Sequence, residues 1–351
     1  MRVYIQNFKS IEALEINLNK INVIIGPPNT GKSNLLEALH LYGCIKTSYY
    51  FYQSTKKYIK PFFDIIRGFE ESCSLFRDFE PNNVIKLEIK GFDKINISCK
   101  KEKEYDGLNR ILFNGRPFPE FLVTETPNLP FVNLYRYEEF IKKRKETIKS
   151  DTLLFPDFSN LVYVLRDIQI RHKLIEIINE SSLKNYGISI KELKSIEEGE
   201  NLLIVDRDKL YYKLSKLELL PQSFQYLFLF TVAIVSNEVF SKENDETCIV
   251  LFEKPDSHMF PIFIEDFVEI LRDNVKRTKV VLTTHNEATL IYMIDKINPE
   301  DLNVYGVLRG KEGYTEIVPI DIEKLRDKYI ETGLGKFIRN IENIINEIKK
   351  D

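Results

Sequence analysis

The sequence holds few cysteines, no surplus of either charge and no long apolar run, and each shortage removes a class of protein. Cys44, Cys73, Cys99 and Cys248 stand far apart with no C-x-x-C pair, which argues against a zinc knuckle or a disulfide framework and leaves reduced, buried thiols. Lysine plus arginine number 50 against 53 for aspartate plus glutamate, a net charge of −3. A dedicated nucleic-acid domain usually shows a basic excess, so the overall charge does not advertise a polyanion partner. No run of 18 or more apolar residues occurs, and the densest stretch, Phe224 to Val235, is too short to span a bilayer. The opening MRVYIQNFKSIEALEI alternates and carries charge where a secretory signal needs an apolar block, so a cytoplasmic location is expected. With 43% hydrophobic and 29% charged residues and only 14 glycines and 14 prolines, disordered, collagenous and low-complexity chains are excluded.

At roughly 150 residues per domain, 351 residues make about two domains or one large α/β domain with insertions. Short strands are read at Val3 to Ile5 and Leu14 to Leu18, then a strand buried on both faces at Ile21 to Ile25. A cluster of turn formers follows, and then a helix from Lys32 to Tyr42. The middle is less legible: an aromatic, helix-compatible stretch from Tyr49 to Phe76, a strand pair across Val84 to Cys99, a charged helix from Tyr137 to Lys149, and a helix from Leu161 that runs on to Ile178. Ser159 and Asn160 can cap that last helix. Beyond position 200 the pattern sharpens again. Strands are read at Leu202 to Val205, Leu210 to Lys213, Ile249 to Phe252 and Lys279 to Thr283, and helices at Gln222 to Ser236, Pro261 to Val275 and Glu287 to Ile294. Val304 to Leu308 and Thr315 to Pro319 form a closing hairpin, and an amphipathic helix covers Lys336 to Lys349. Alternation at both ends with an irregular middle gives an α/β fold whose sheet is built from both termini. Residues 1–45 and 200–320 would form its two halves, 46–199 an inserted helical and β lid or arm, and 321–351 a C-terminal helical segment.

The sharpest motif is Gly26-Pro27-Pro28-Asn29-Thr30-Gly31-Lys32-Ser33, which fits G-x-x-x-x-G-K-[ST] without a gap. Glycines at the ends let backbone N–H groups turn toward phosphate oxygens, and the N-terminus of the next helix adds partial positive charge. Lys32 then reaches the β- and γ-phosphates, and Ser33 ligates magnesium. A second signal is Cys248 to Glu253, an apolar strand ending in an acid. P-loop enzymes use such an acid, on a strand neighbouring the P-loop strand, to hold the magnesium water shell. A third is Val280 to Asn286, whose His285 falls at the carboxyl end of a strand, where α/β folds bind ligands and where it can donate to a γ-phosphate. His40 and His172 lack that context and read as ordinary core or surface residues.

These residues carry a family resemblance. Ile5-Gln6-Asn7-Phe8-Lys9-Ser10-Ile11, followed by Gly26 through Ser33-Asn34-Leu35-Leu36-Glu37-Ala38-Leu39, resembles the start of RecF-, SMC- and OLD-like ATPases, the ABC-type branch of P-loop proteins often labelled AAA-family. Glu253-Lys254-Pro255-Asp256-Ser257-His258-Met259-Phe260-Pro261 is similar to their Walker B line, D-E-P-E-x-H-L-x-P, and Leu282-Thr283-Thr284-His285-Asn286 to their switch histidine. The likeness covers the two ends well and the middle thinly. It implies a P-loop NTPase fold, an ABC-type ATPase head with an inserted arm. In that head, Gly26, Pro27, Pro28, Asn29, Thr30, Gly31, Lys32, Ser33 and Asn34 would hold ATP, and Ser33 and Glu253 would hold Mg2+. It also implies a homodimer with ATP sandwiched between heads. The contact from the opposite head would fall on Ser223, in Leu220-Pro221-Gln222-Ser223-Phe224-Gln225, which lacks the family's glycines but can cap the helix it opens.

The largest departure is Lys254, an amine where the family has the glutamate that polarises water. Three readings stay open: slow hydrolysis with water oriented by His285 or Asp256, Glu253 acting as the base, or ATP binding without turnover, with Lys254 pairing to the γ-phosphate. Slow Mg-ATPase activity is the favoured one, driving a process of the DNA-repair or anti-phage type. The rival is an ATP-gated module that recruits a separate effector. Basic stretches at Lys56 to Lys60, Lys100 to Lys103 and Lys142 to Lys145 leave DNA contact open, but neighbouring acids favour solvated faces.

Overall fold

The computed structural model describes residues 1–55, 66, 72–80, 82–99, 111–117, 121, 128–136, 153–156, 158, 160–186, 189–190, 192–195, 202–205, 211–213, 221–257, 259–310, 312–332 and 341–348. The charged helix expected at Tyr137 to Lys149 and the three basic stretches lie outside them.

Alternating burial makes a hairpin of β1 (Arg2–Phe8) and β2 (Ile11–Asn17), with Val3, Ile5, Leu14 and Ile16 facing the core. β3 (Ile21–Ile25) is buried at all five positions, as its unbroken apolar run requires. It delivers the chain through the glycine-rich loop into α1 (Lys32–Thr55), which is longer than the expected Lys32 to Tyr42. Next come β4 (Ile85–Ile89), β5 (Ile95–Cys99), β6 (Ile111–Phe113) and β7 (Arg116–Pro117), which extend the hairpin into an antiparallel sheet ordered β2-β1-β4-β5-β6-β7.

β8 (Phe131–Tyr135) departs from the expected domain plan. It lies within 46–199, the segment read as an arm, yet it pairs in parallel with the core strand β12 (Cys248–Glu253). All five of its residues are buried, and only a place inside the sheet satisfies that much apolar surface together with its backbone polar groups. The segment therefore supplies strands to the central sheet, to the antiparallel sheet and, through Glu192–Ser195, to a third, small sheet. The expected helix from Leu161 to Ile178 is broken into α2 (Leu161–Val164) and α3 (Ile168–Glu180). Asp167 starts the second helix by accepting a hydrogen bond from the Ile170 N–H at 2.9 Å. Asn160 does not cap. Its amide instead bonds Leu153 O and the Phe155 N–H.

β9 (Glu192–Ser195), β10 (Leu202–Val205) and β11 (Tyr211–Lys213) form a small antiparallel sheet. α4 (Gln222–Asn244) runs past the expected Ser236 and is buried continuously from Phe224 to Asn237, so no polar face marks its period. It is long and apolar enough to cross a membrane, but 83% of its most apolar window is buried inside the protein. α5 (Pro261–Asn274), β13 (Lys279–Thr283), α6 (Glu287–Lys296), β14 (Leu302–Arg309), β15 (Thr315–Pro319), α7 (Ile322–Thr332) and α8 (Ile341–Ile348) complete the described elements.

The central sheet runs β15-β14-β3-β13-β12-β8, parallel except for β15. Its two faces have separate cores. Val250, Phe252, Val280 and Leu282 pack with α3 to α6, while Ile249, Leu251 and Val281 pack with α1 and the antiparallel sheet. One expectation is corrected here: the strand of Glu253 does not adjoin β3, because β13 lies between them. The strand ends that carry the loop, His285 and Glu253 are thus consecutive along one edge.

Candidate functional site

The loop from Gly26 to Gly31 is shaped by contacts that leave no room for side chains at its ends. Gly26 has φ +147°, and a Cβ there would lie 2.2 Å from Val307 O; Gly31 has φ +99°, with Thr315 Oγ1 at 1.9 Å from such an atom. The loop is thereby seated on the β14–β15 hairpin. Lys32, the first residue of α1, folds back so that Nζ donates to Gly26 O (2.9 Å) and Pro27 O (2.5 Å). Thr30 Oγ1 also donates to Pro27 O, at 3.0 Å. No acid stands in the first turn of α1, so its free N–H groups and dipole face the cleft without an internal anion.

The cleft beside the loop has a volume of about 360 Å³. Pro28, Asn29, Thr30, Gly31, Lys32, Ser33 and Asn34 line it, with Glu253, Lys254, Thr283 and His285 from the adjoining strand ends. Ser10, Arg309, Gly313 and Thr315 close the side nearest the hairpin. Gly26 and Pro27 support the loop from beneath through the carbonyls that hold Lys32. Asn34 Nδ2 donates to Ser10 Oγ at 2.7 Å, and Ser10 Oγ is 2.6 Å from Thr315 Oγ1, tying loop, first hairpin and last hairpin together.

Glu253 is the only acid among the described lining residues. Its Oε1 accepts from Ser33 Oγ, and its Oε2 accepts from Arg136 Nε. Arg136, just past β8, also donates through its second nitrogen to Glu37 Oε1 at 2.6 Å, and Lys9 Nζ pairs with the other Glu37 oxygen. The two hard oxygens of Ser33 and Glu253 meet directly, which suits a divalent cation of the magnesium type bound together with phosphates.

Lys254 sits in a left-handed turn at φ 50°, its N–H shared between Thr283 O (3.2 Å) and Thr283 Oγ1 (3.1 Å), and its side chain forms part of the wall. Burial together with the neighbouring Lys254 charge lowers Lys32 to about 8, against the pull of Glu253. Burial, then Lys32 and Lys254, drives His285 down to about 4, so a neutral imidazole faces the cleft at neutral pH.

Asp256, expected beside the attacking water, lies elsewhere, and Ser223, expected to face an opposite head, has a different local role from the expected cap. Asp256 is 2% exposed, does not line the cleft, and accepts from Thr284 Oγ1 (2.6 Å) and Thr289 Oγ1. It braces the segment that holds His285. Ser223 does not cap α4: Pro221 holds the cap position without a side-chain bond, and Ser223 Oγ accepts from the Phe260 N–H at 3.1 Å. His258 lies outside the described residues. His40, with Nδ1 facing the Val132 carbonyl and the Leu134 N–H, is a core residue, and His172 lies exposed on α3. Arg136, Arg309 and Thr315 were not foreseen. The hairpin carrying Arg309 and Thr315 was legible, but nothing local marked its approach to the loop.

Residues 1–224 match the AAA ATPase domain model, well over half of the chain. The chain belongs to the AAA ATPase domain family. It is 26% identical over 320 residues to the Septu protein PtuA of Bacillus mycoides (strain KBAB4), an alignment covering 84% of this chain and 39% of PtuA. The chain thus spans about two fifths of that relative's length. In fold it is similar to the Smc head domain with an extended coiled coil, bound to the C-terminal domain of ScpA, from Pyrococcus furiosus. The TM-score is 0.52 at 13% identity, with 94% of this chain and 98% of the other covered. The architecture is that of an SMC/RecF-like P-loop ATPase head, with the loop following β3, His285 just past β13 and Glu253 at the end of β12.

Proposed function

We propose that the cleft binds ATP with Mg2+ and hydrolyses it slowly, so that occupancy rather than rapid cycling is the signal the head transmits. Backbone N–H groups from Asn29 to Asn34 and the Lys32 ammonium would hold the phosphates, Ser33 and Glu253 the magnesium ion, and His285 the γ-phosphate. The observation that carries the reading is Lys254, an ammonium on the cleft wall where this family's base would stand. None of the substitutes is a strong base. Both Glu253 oxygens are engaged, Asp256 is sealed in the interior, and His285, at about 4, holds a proton weakly.

Slow turnover favours a long-lived ATP-bound head, and such a head can join a second copy across the nucleotide. Ser223 at the start of α4 and the exposed Phe260 beside it are the surface this chain would offer to a second head or to a partner ATPase or effector subunit. Likeness to the Septu protein PtuA supports a process of the anti-phage type; a DNA-repair process and DNA as a partner are the alternatives we keep. The same Lys254 favours the second reading, a non-hydrolysing ATP-gated module. Sedimentation of the full chain with ATP, with ADP and without nucleotide, followed by analysis of the bound nucleotide, tests the proposal. A dimer formed with intact ATP and dispersed over many minutes as ADP accumulates is expected; intact ATP throughout selects the second reading, and complete cleavage within seconds overturns both.

A further inference from the structure

We propose that Arg136 supplies from within the protein the counter-charge that a divalent ion brings to a triphosphate beside Glu253, so that the cleft retains ATP with little dependence on magnesium. The inference rests on the nucleotide-binding reading above.

Arg136 is 4% exposed and divides its planar fork between two carboxylates, Glu253 and Glu37. Glu37 is fully buried and takes Lys9 on its remaining oxygen. Among the described residues, charges therefore alternate along one connected line, Lys9, Glu37, Arg136, Glu253, two of each sign. The negative charge that a P-loop site directs at its metal is already paired with a guanidinium before any ligand arrives.

What remains on the cleft wall is one-sided. Lys32, Lys254 and Arg309 line it, and Glu253 is the sole acid among the described lining residues. Three cations around an uncharged histidine form a polyanion site in their own right. A divalent ion placed on Glu253 and Ser33 would in addition sit beside the Arg136 guanidinium that bonds the same carboxylate, and near Lys254. Both charges weaken its hold. The chain can therefore bind the ion for slow hydrolysis without needing it to keep the nucleotide.

The test is ATP titrated calorimetrically into the full chain in excess magnesium and in excess EDTA, with free Mn2+ followed by electron paramagnetic resonance in the presence of ATP. For the unaltered chain the two dissociation constants should agree within about threefold, and the protein should add little to the manganese affinity of ATP itself. In Arg136→Gln, binding in EDTA should weaken by about tenfold or more while binding in magnesium is largely kept, and manganese should bind more tightly. A purely structural role would weaken both conditions together and leave their ratio near one. Should Arg136→Gln fail to fold, the unaltered chain decides alone: ATP bound in magnesium and lost in EDTA overturns the inference but leaves the nucleotide site standing. No binding under either condition overturns the nucleotide reading itself.

Discussion

Replacing Lys254 by glutamate places a carboxylate at the position that the resemblance to RecF- and SMC-like ATPases assigns to the base, and the structure sets what should change. The backbone bonds of residue 254 to Thr283 do not depend on its side chain, and the side chain is exposed, so stability should move by no more than about 0.5 kcal/mol. A positioned general base is worth roughly 10²- to 10⁴-fold, so the single-turnover rate should rise at least about 100-fold. Affinity should fall. Two charge units are removed from beside the phosphates, each worth about 3 kcal/mol at ~6 Å and an effective dielectric of ~20 before solvent and salt act. Screening at an exposed site reduces the total to about 1 kcal/mol, or roughly fivefold in Kd. Quench-flow with radiolabelled ATP and excess protein measures the rate, and calorimetry the affinity. An unchanged rate in a folded variant that still binds ATP would refute the assignment of Lys254 to the base position.

Other substitutions probe the supports of the cleft. Gly31→Ala forces a Cβ onto Thr315 Oγ1 at a φ of +99°, so it should abolish ATP binding and destabilise the chain by about 1–3 kcal/mol, read by calorimetry and thermal melting. Asp256→Ala leaves the Thr284 and Thr289 hydroxyls without their acceptor and should cost about 1–3 kcal/mol in denaturant titrations, with Asp256→Asn recovering most of it. His285 should titrate near 4 by NMR in the free protein and move upward when ATP is added, because phosphate charge favours the imidazolium. The depressed value also has a linkage sign. Below the ordinary 6.5 the unfolded chain takes a proton that the native state refuses, so this histidine contributes a loss of stability as pH falls from 6.5 toward 4, a slope that His285→Gln should remove.

Much of this site was legible because its signals are local. The run Ile21 to Ile25, the loop and the start of α1 are contiguous in sequence and declare strand, turn and helix in succession. Lys254 stood out as a charge reversal inside an otherwise matching pattern. Arg136 left no such trace. It follows a five-residue strand more than a hundred positions from its partner β12, and only the parallel pairing of the two brings the guanidinium to Glu253. β8 was missed for the same reason: a short apolar run in an irregular region is equally compatible with a buried arm. Asp256 and Ser223 were assigned by position in a motif. Position does not reveal that Thr284 and Thr289 already hold the Asp256 carboxylate, or that Ser223 Oγ accepts from the Phe260 N–H instead of capping α4. The polar tail of α4 concealed its last two turns, which Phe240 anchors from one side.

The central claim, that a nucleoside triphosphate lodges against the Gly26 to Ser33 loop, meets its most direct test in isothermal titration of ATP into the intact chain and into Lys32→Ala. Saturable binding at one site per chain, lost or weakened at least about 100-fold in the variant while its melting temperature stays within a few degrees, is the expected result. Equal affinity in both proteins, or heat of dilution alone in the unaltered chain, would contradict it.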